Sequence, residues 1–527
     1  MDKKRRRYML RGLAGVLAVY AFLLAVLLIS ESRGAGSNIR TIRDALWYSV
    51  VTLTTVGYGD LSPVTTVGRL VGLVFLLLST GIMVTLLGTV VSFLAGEALP
   101  MMLLRRKRGE DWYYFADIGP EAMALAEGIV REKSDAVIIF GVNRSAAEEQ
   151  PDFHCTFINR SPAQLVPLKR GCGKPCVVFL MKENDIGRNL RAINIARLPV
   201  EVYARTESGY DSLPGGIHFF HSYDCCARVY WKKQPLCSGE KNIVLLGFGH
   251  YGRALLERAI LTNVISTSGG TTYHVFGDSD SFLSAHAGIK EVFAINHEEK
   301  GKDAIFFHRE SWLDCREIIA GADRIVICDD DEERGWDIYW KLQQCYVVRG
   351  RIDLRSNRPV PGISHFGTDE EIYTPENVLR TALNRVAVTM NRLYMKDNPG
   401  AKGWEELDDA LRESKIAAAD HVIMKIRILL KDDDVTELNP ALLSRAYDRY
   451  TWLCKSPEKR EMLRELEHLR WLRFYTCYNW TYGEKHDPVL RQDPRIAPYD
   501  ALSDAQKATC DHAWNLLGTL ILDKESE

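Results

Sequence analysis

The sequence predicts a two-span α-helical membrane domain, then tandem α/β domains, then a small, mostly α C-terminal domain. Three observations carry this. Two charge-free apolar runs, Leu13–Ile29 and Leu70–Leu94, are each long enough to cross most or all of a hydrocarbon core of roughly 30 Å as helices. From Asp111 onward, short β-branched and aromatic runs alternate with helical patterns, the rhythm of a parallel sheet. From about Pro375 the pattern is helical. A chain of 527 residues is too long for one core at roughly 100–200 residues per domain. The expected domains are 1–104, 105–240, 241–375, 376–462 and 463–527.

The flanks orient the spans. Lys3, Lys4, Arg5, Arg6, Arg7 and Arg11 precede the first run, and Arg105, Arg106, Lys107 and Arg108 follow the second. Basic clusters on both outer flanks place both termini in the cytoplasm of a plasma-membrane protein. Arg33, Arg40 and Arg43 in the intervening loop weaken this asymmetry without reversing it. A cleaved signal peptide also begins with basic residues, but a second span with matching flanks argues against one. A net charge of −2 gives no reason to expect nucleic acid as a partner. All twelve cysteines lie after position 150 without an even-spaced framework, which suits free thiols in a reducing cytosol.

Between the spans, a short helical stretch from Asp44 runs into Thr54-Thr55-Val56-Gly57-Tyr58-Gly59-Asp60. A dehydrated potassium ion needs a shell of oxygens in place of its waters, and backbone carbonyls supply one if they all face inward. An ordinary strand alternates its carbonyls, so Gly57 and Gly59 are placed where unusual dihedrals are needed. Thr55 adds a side-chain oxygen, and K+ is expected at Thr55, Val56, Gly57 and Tyr58. This stretch closely resembles the potassium channel pore family. The resemblance implies hydrogen bonding of Trp47 to Asp60 behind the filter and an inner helix with a hinge, here Gly81 rather than Ser79. One motif per chain implies a homotetramer in a lipid bilayer. The absence of an arginine-repeat helix before the pore points away from voltage gating.

Tyr113–Ala116, Ala136–Phe140, Pro175–Leu180 and Val200–Tyr203 read as strands, with helices at Glu121–Arg131 and Ile186–Arg197. This region resembles the regulator-of-potassium-conductance domain and lacks a Gly-rich loop. A second Rossmann-like copy opens with the buried strand Asn242–Leu246 and continues into Gly247-Phe-Gly249-His-Tyr-Gly252 and the helix Arg253–Leu261. In that context G-x-G-x-x-G assigns Gly247 to the turn, Gly249 to a pyrophosphate and Gly252 to helix packing. Asp278, after an inserted loop at Ser266–Thr272, is the candidate ribose acid. The expected ligand is NAD or an adenine nucleotide. A nucleotide-free scaffold is the alternative. Asp329–Glu333 suggests calcium or, more plainly, a helix start. Cys172 with Cys176, and His221 with Cys225 and Cys226, lack paired zinc spacing.

The end of the chain carries Glu467-His468-Leu-Arg470-Trp471, Asn479-Trp480-Thr-Tyr482-Gly483 and Pro498-Tyr499-Asp-Ala-Leu502. It resembles the ryanodine-receptor-type (RyR) repeat, with Asn479 where that family usually has glycine. Trp471, Trp480, Tyr482 and Tyr499 are candidates for an aromatic cage with Arg470 nearby for phosphate, or else for a small core. Together these readings predict a tetrameric, ligand-gated potassium channel rather than an enzyme. No Ser/His/Asp or Tyr/Lys set accompanies Gly247. The alternatives are a bacterial defence channel opened by a nucleotide messenger, a nicotinamide-dependent enzyme and a non-conducting regulatory subunit.

Overall fold

The computed structural model describes residues 18–94, 98–142, 151–169, 176–182, 191–192, 194–206, 212–213, 217–379, 382–398 and 400–524. The basic residues Lys3–Arg11, the start of the first apolar run, Cys172 and residues 186–190 of an expected helix lie outside these ranges. The chain divides into two compact units, Met1–Arg106 and Lys107–Glu527.

In the first unit, an apolar helix over Ala18–Glu31 is followed by Ile42–Leu53, Thr66–Phe93 and Leu99–Arg106. Thr66–Val91 is long and apolar enough to cross a membrane, whereas the described part of the first run is shorter. Thr41 and Asp44 form a capping box that starts Ile42–Leu53. The buried Glu31 carboxylate accepts from Ser37 Oγ (2.6 Å), Val64 N (3.1 Å), Thr65 N (2.9 Å) and Thr65 Oγ1 (2.6 Å). It therefore ties the end of one apolar helix to the start of the next and satisfies amides that an apolar setting would leave unpaired. A side chain at Gly68 would collide with this carboxylate. Leu73, Leu77, Val84 and Val91 stay more than half exposed on the isolated chain.

The second unit holds two seven-stranded sheets. The first contains β1 Trp112–Phe115, β2 Val137–Phe140, β3 Cys155–Phe157, β4 Cys176–Leu180, β5 Glu201–Thr206, β6 Ser212–Leu213 and β7 Ile217–His221, in the order β3-β2-β1-β4-β5-β7-β6. The second contains β8 Asn242–Leu246, β9 Thr272–Phe276, β10 Phe293–Ile295, β11 Asp303–His308, β12 Arg324–Ile327, β13 Arg351–Arg355 and β14 Ser364–Phe366, in the order β10-β11-β9-β8-β12-β13-β14. Apart from the antiparallel β6–β7 pair, all of these pairings are parallel. The first order carries the doubly wound 3-2-1-4-5 arrangement; the second, counted from β8, is 3-4-2-1-5-6-7, with β11 inserted between β10 and β9, and each opens a crevice where the winding reverses. Runs such as Trp112–Phe115 and Val137–Phe140 are buried along their whole length, as strands covered on both faces require. The helices Ser222–Lys233 and His250–Thr262 join the two lobes, with Trp231 Nε1 donating to Leu255 O at 2.9 Å.

The C-terminal helices Arg385–Asp397, Val422–Leu430, Pro440–Leu453, Pro457–Cys477 and Asp504–Lys524 contribute to one apolar core that includes Met390, Ile426, Leu443, Leu463 and Trp514. The expected boundary at 463 falls inside Pro457–Cys477, because that helix serves both sides of it. The buried Arg473 pairs with Asp303 of the second lobe at 2.6 Å, and His286 Nδ1 donates to Cys477 O at 2.9 Å. Asn479 adopts φ 59°, while its side chain accepts from Gly288 N (3.0 Å) and donates to Ala285 O (2.6 Å). Asparagine is among the few non-glycine residues that tolerate this backbone, and here its amide also makes the joint. Asn479→Gly should lower the unfolding temperature of the purified protein by removing two hydrogen bonds of about 1 kcal/mol each. Asn479→Val should lower it further by adding left-handed strain of about 1–2 kcal/mol. Differential scanning calorimetry of both variants checks the order.

Candidate functional site

Ile42–Leu53 delivers the chain into the Thr55–Gly59 loop. Val56 N and Gly57 N both return to Val51 O, at 3.1 and 3.3 Å, so the helix end anchors the loop. Thr55, Gly57 and Gly59 take φ of 59°, 59° and 74°. Left-handed residues at every second position rotate alternate peptide planes, which turns consecutive carbonyls toward one side instead of alternating them. A Cβ at Gly57 or Gly59 would meet no neighbour, so glycine is there for its dihedral and not for space. Thr55 adopts the same region as an L-residue, a strain of about 1–2 kcal/mol.

Trp47 Nε1 donates to Asp60 Oδ2 at 2.8 Å, the contact the pore resemblance implied. The Trp47 ring lies parallel to Tyr58, at 3° and 6.2 Å between centroids. Val56 and Tyr58 are themselves 53 % and 68 % exposed on the single chain. Thr66–Phe93 passes through Gly81 without a break, and nothing lies within reach of a Cβ there. Gly72 does have a packing role, because a Cβ would meet Tyr48 Oη at 2.6 Å.

The second candidate site is the turn after β8. Gly247 has φ 94° and Gly249 caps the helix His250–Thr262. A Cβ at Gly252 would collide with Gly247 O, so Gly252 permits the close packing expected of it. Asp278 sits exposed beyond the end of β9, beside β8, and accepts from Asp280 N at 3.1 Å. Gly249 is approached by a protein carboxylate. Asp330, on the loop after β12, accepts from His250 N at 2.9 Å and Tyr251 N at 3.1 Å. A Cβ at Gly249 would overlap that carboxylate. Arg355 holds the loop in place through Asp329 O and Asp330 O, both at 3.0 Å, and lies 4.3 Å from the Tyr251 ring centre. The amides assigned to a pyrophosphate therefore hold an internal anion, which the same helix-terminus electrostatics favour. Sequence spacing carried no sign of this, because 80 residues separate His250 from Asp330.

The rest of the acidic run is spent locally. Asp329 accepts from Asp331 N and pairs with Arg334, Asp331 caps Glu333 and Arg334, and Glu332 accepts from Ser356 and Asn357. The helix-start reading fits these bonds. Cys225 and Cys226 are buried free thiols, and burial pushes the Cys225 thiol up to about 12.

The C-terminal aromatics divide. Trp480, Tyr482 and Tyr499 line a cleft of about 820 Å³ whose opposite wall is the second lobe, at Ala287–Val292 and Lys302–Asp303. Trp471 does not line it. Its ring packs on Tyr475 (4.2 Å) and beneath Arg495 (4.5 Å). Arg470 is also outside the cleft. It is buried and paired with Glu467 at 2.8 Å, which in turn pairs with Lys425 at 2.8 Å. The two positive partners hold the buried Glu467 carboxyl down to about 2 against the opposing effect of burial. Arg473 does border the cleft, together with Lys290 and Lys302, and its Nε and Nη1 find no hydrogen-bond partner among the described residues. Neither Gly247, Gly249, Gly252 nor Asp278 borders this cleft.

Residues 14–96 match a family model described as ion channel. A voltage-gated potassium channel of Aeropyrum pernix is 38 % identical over 96 residues, covering 18 % of this chain and 30 % of that protein. The calcium-gated potassium channel TvoK of Thermoplasma volcanium is 25 % identical over 135 residues, 24 % of this chain and 39 % of that one. The mouse potassium voltage-gated channel subfamily A member 5 is 43 % identical over 63 residues, 11 % and 10 % respectively. The match thus spans well under half the length of these curated relatives. Among solved structures, GsuK bound to ADP aligns at 13 % identity with a TM-score of 0.34, covering 71 % of this chain and 99 % of that one. The GsuK channel bound to NAD aligns at 13 % and 0.31, covering 73 % and 85 %.

Proposed function

We propose that the chain is the subunit of a homotetrameric, potassium-selective membrane channel gated by a cytosolic nucleotide. The observation that carries it is the Thr55–Gly59 loop, where left-handed residues alternate behind a helix and are braced by the Trp47–Asp60 hydrogen bond. Four such loops around one axis supply the carbonyl cage that replaces the hydration of K+. Tetramer formation covers Val56 and Tyr58. Thr55, Val56, Gly57 and Tyr58 contribute the ion sites, Gly81 is the candidate hinge, and the second lobe reads the nucleotide through Gly247, Gly249, Gly252 and Asp278. The similarity of residues 14–96 to ion channels supports the pore. A nucleotide works by binding two states of the cytosolic region unequally.

Asp330 sets the terms of that binding, because a phosphate must displace its carboxylate from the amides of His250 and Tyr251. A second location for the ligand is favoured by the cleft beside Trp480, Tyr482 and Tyr499, which is open where the turn is filled.

Two experiments test these roles. Gly57→Ala places a Cβ on a left-handed residue, at about 1–2 kcal/mol in each of four chains. It should abolish 86Rb+ uptake by reconstituted vesicles while the protein still elutes as a tetramer. Undiminished uptake would refute the filter. Asp330→Ala should bind ADP about tenfold more tightly, since one internal charge-assisted competitor is gone. Thermal shift of the full-length protein measures this, and an unchanged or weaker ADP response would show that the carboxylate does not compete.

A further inference from the structure

At the end of β11, three side chains of different donor type converge outside both sites. His308, Glu310 and Cys315 bring their ligand atoms within 4.8 Å of one another. His308 Nδ1 lies 3.0 Å from Glu310 Oε1, and Cys315 Sγ lies 3.8 Å from the same oxygen. Tetrahedral zinc, with bonds of about 2.0–2.3 Å, sets its donors about 3.2–3.8 Å apart, so the cluster needs little rearrangement to share one ion. The other ring nitrogen of His308 is already held, with Nε2 3.0 Å from His274 Nδ1 on the adjacent β9. Phe276 stacks on the His308 ring at 4.5 Å between centroids and fixes its plane. A partner on the remote nitrogen is what orients a metal-ligating histidine.

We propose that His308, Glu310 and Cys315 form a binding site for one zinc-class divalent ion, with His274 as the positioning residue. Nitrogen, oxygen and sulfur donors together suit zinc or cobalt over calcium or magnesium, which prefer oxygen alone. In the tautomer in which His308 Nε2–H donates to His274, the Nδ1 lone pair faces the Glu310 carboxylate and a divalent ion can bridge the two. The Cys315 thiol gives up its proton to solvent when its sulfur binds the ion. Glu310 is exposed, which leaves the fourth position open to water and the ion exchangeable.

Full-length protein in detergent, stripped with chelator and titrated with Co2+, provides the test. The expected result is a near-ultraviolet thiolate-to-cobalt charge-transfer band that saturates at one ion per chain and is bleached by Zn2+. Cys315→Ser should remove the band, and His308→Gln should weaken Co2+ binding strongly. His274→Phe should keep the band and weaken binding by about 10–100-fold, the effect of losing an orienting partner. Absence of the band in the unsubstituted protein would overturn the proposal, as would an undiminished band in Cys315→Ser, which would assign it to another thiol.

Discussion

A main-chain amide or carbonyl that loses contact with water must find a partner inside the protein, and this chain answers that demand at its helix starts with its own side chains. Glu31 takes two amides at the head of the long apolar helix. Asp330 takes two at the head of the helix after β8. The Thr55–Gly59 loop uses the same constraint in reverse, because carbonyls left without a protein partner can be satisfied by a desolvated cation.

The Asp330 contact changes how the second lobe is understood. A free helix terminus attracts phosphate; an occupied one attracts it only to the extent that phosphate outcompetes a tethered carboxylate. Tethering gives the carboxylate a high effective concentration, so such a turn discriminates by strength of anion and not by presence alone. Arg355, which donates to the carbonyls of Asp329 and Asp330, keeps the Asp330 carboxylate in position.

The C-terminal helices are welded to the second lobe, as the buried Arg473–Asp303 pair and the Asn479 bridge to Gly288 and Ala285 indicate. Breaking the Arg473 pair would leave a buried charge unpaired, which makes this joint rigid by default.

The sequence by itself determined what depends on neighbours along the chain. The apolar runs, the Thr55–Gly59 loop with its following acid, the strand–glycine–helix unit at Asn242–Leu261 and the strand rhythm of both lobes are local patterns whose chemistry is set by residue type and spacing. The tertiary structure alone decided which distant groups share a space. Asp330 lies on Gly249 and His274 meets His308 because parallel strands bring residues far apart in sequence side by side, while the packing of the helix Pro457–Cys477 turns Arg473 to the cleft and keeps Arg470 and Trp471 out of it. Side-chain identity predicts what such groups can do. Only the crossover geometry of the sheet, which no short-range pattern encodes, says which of them meet.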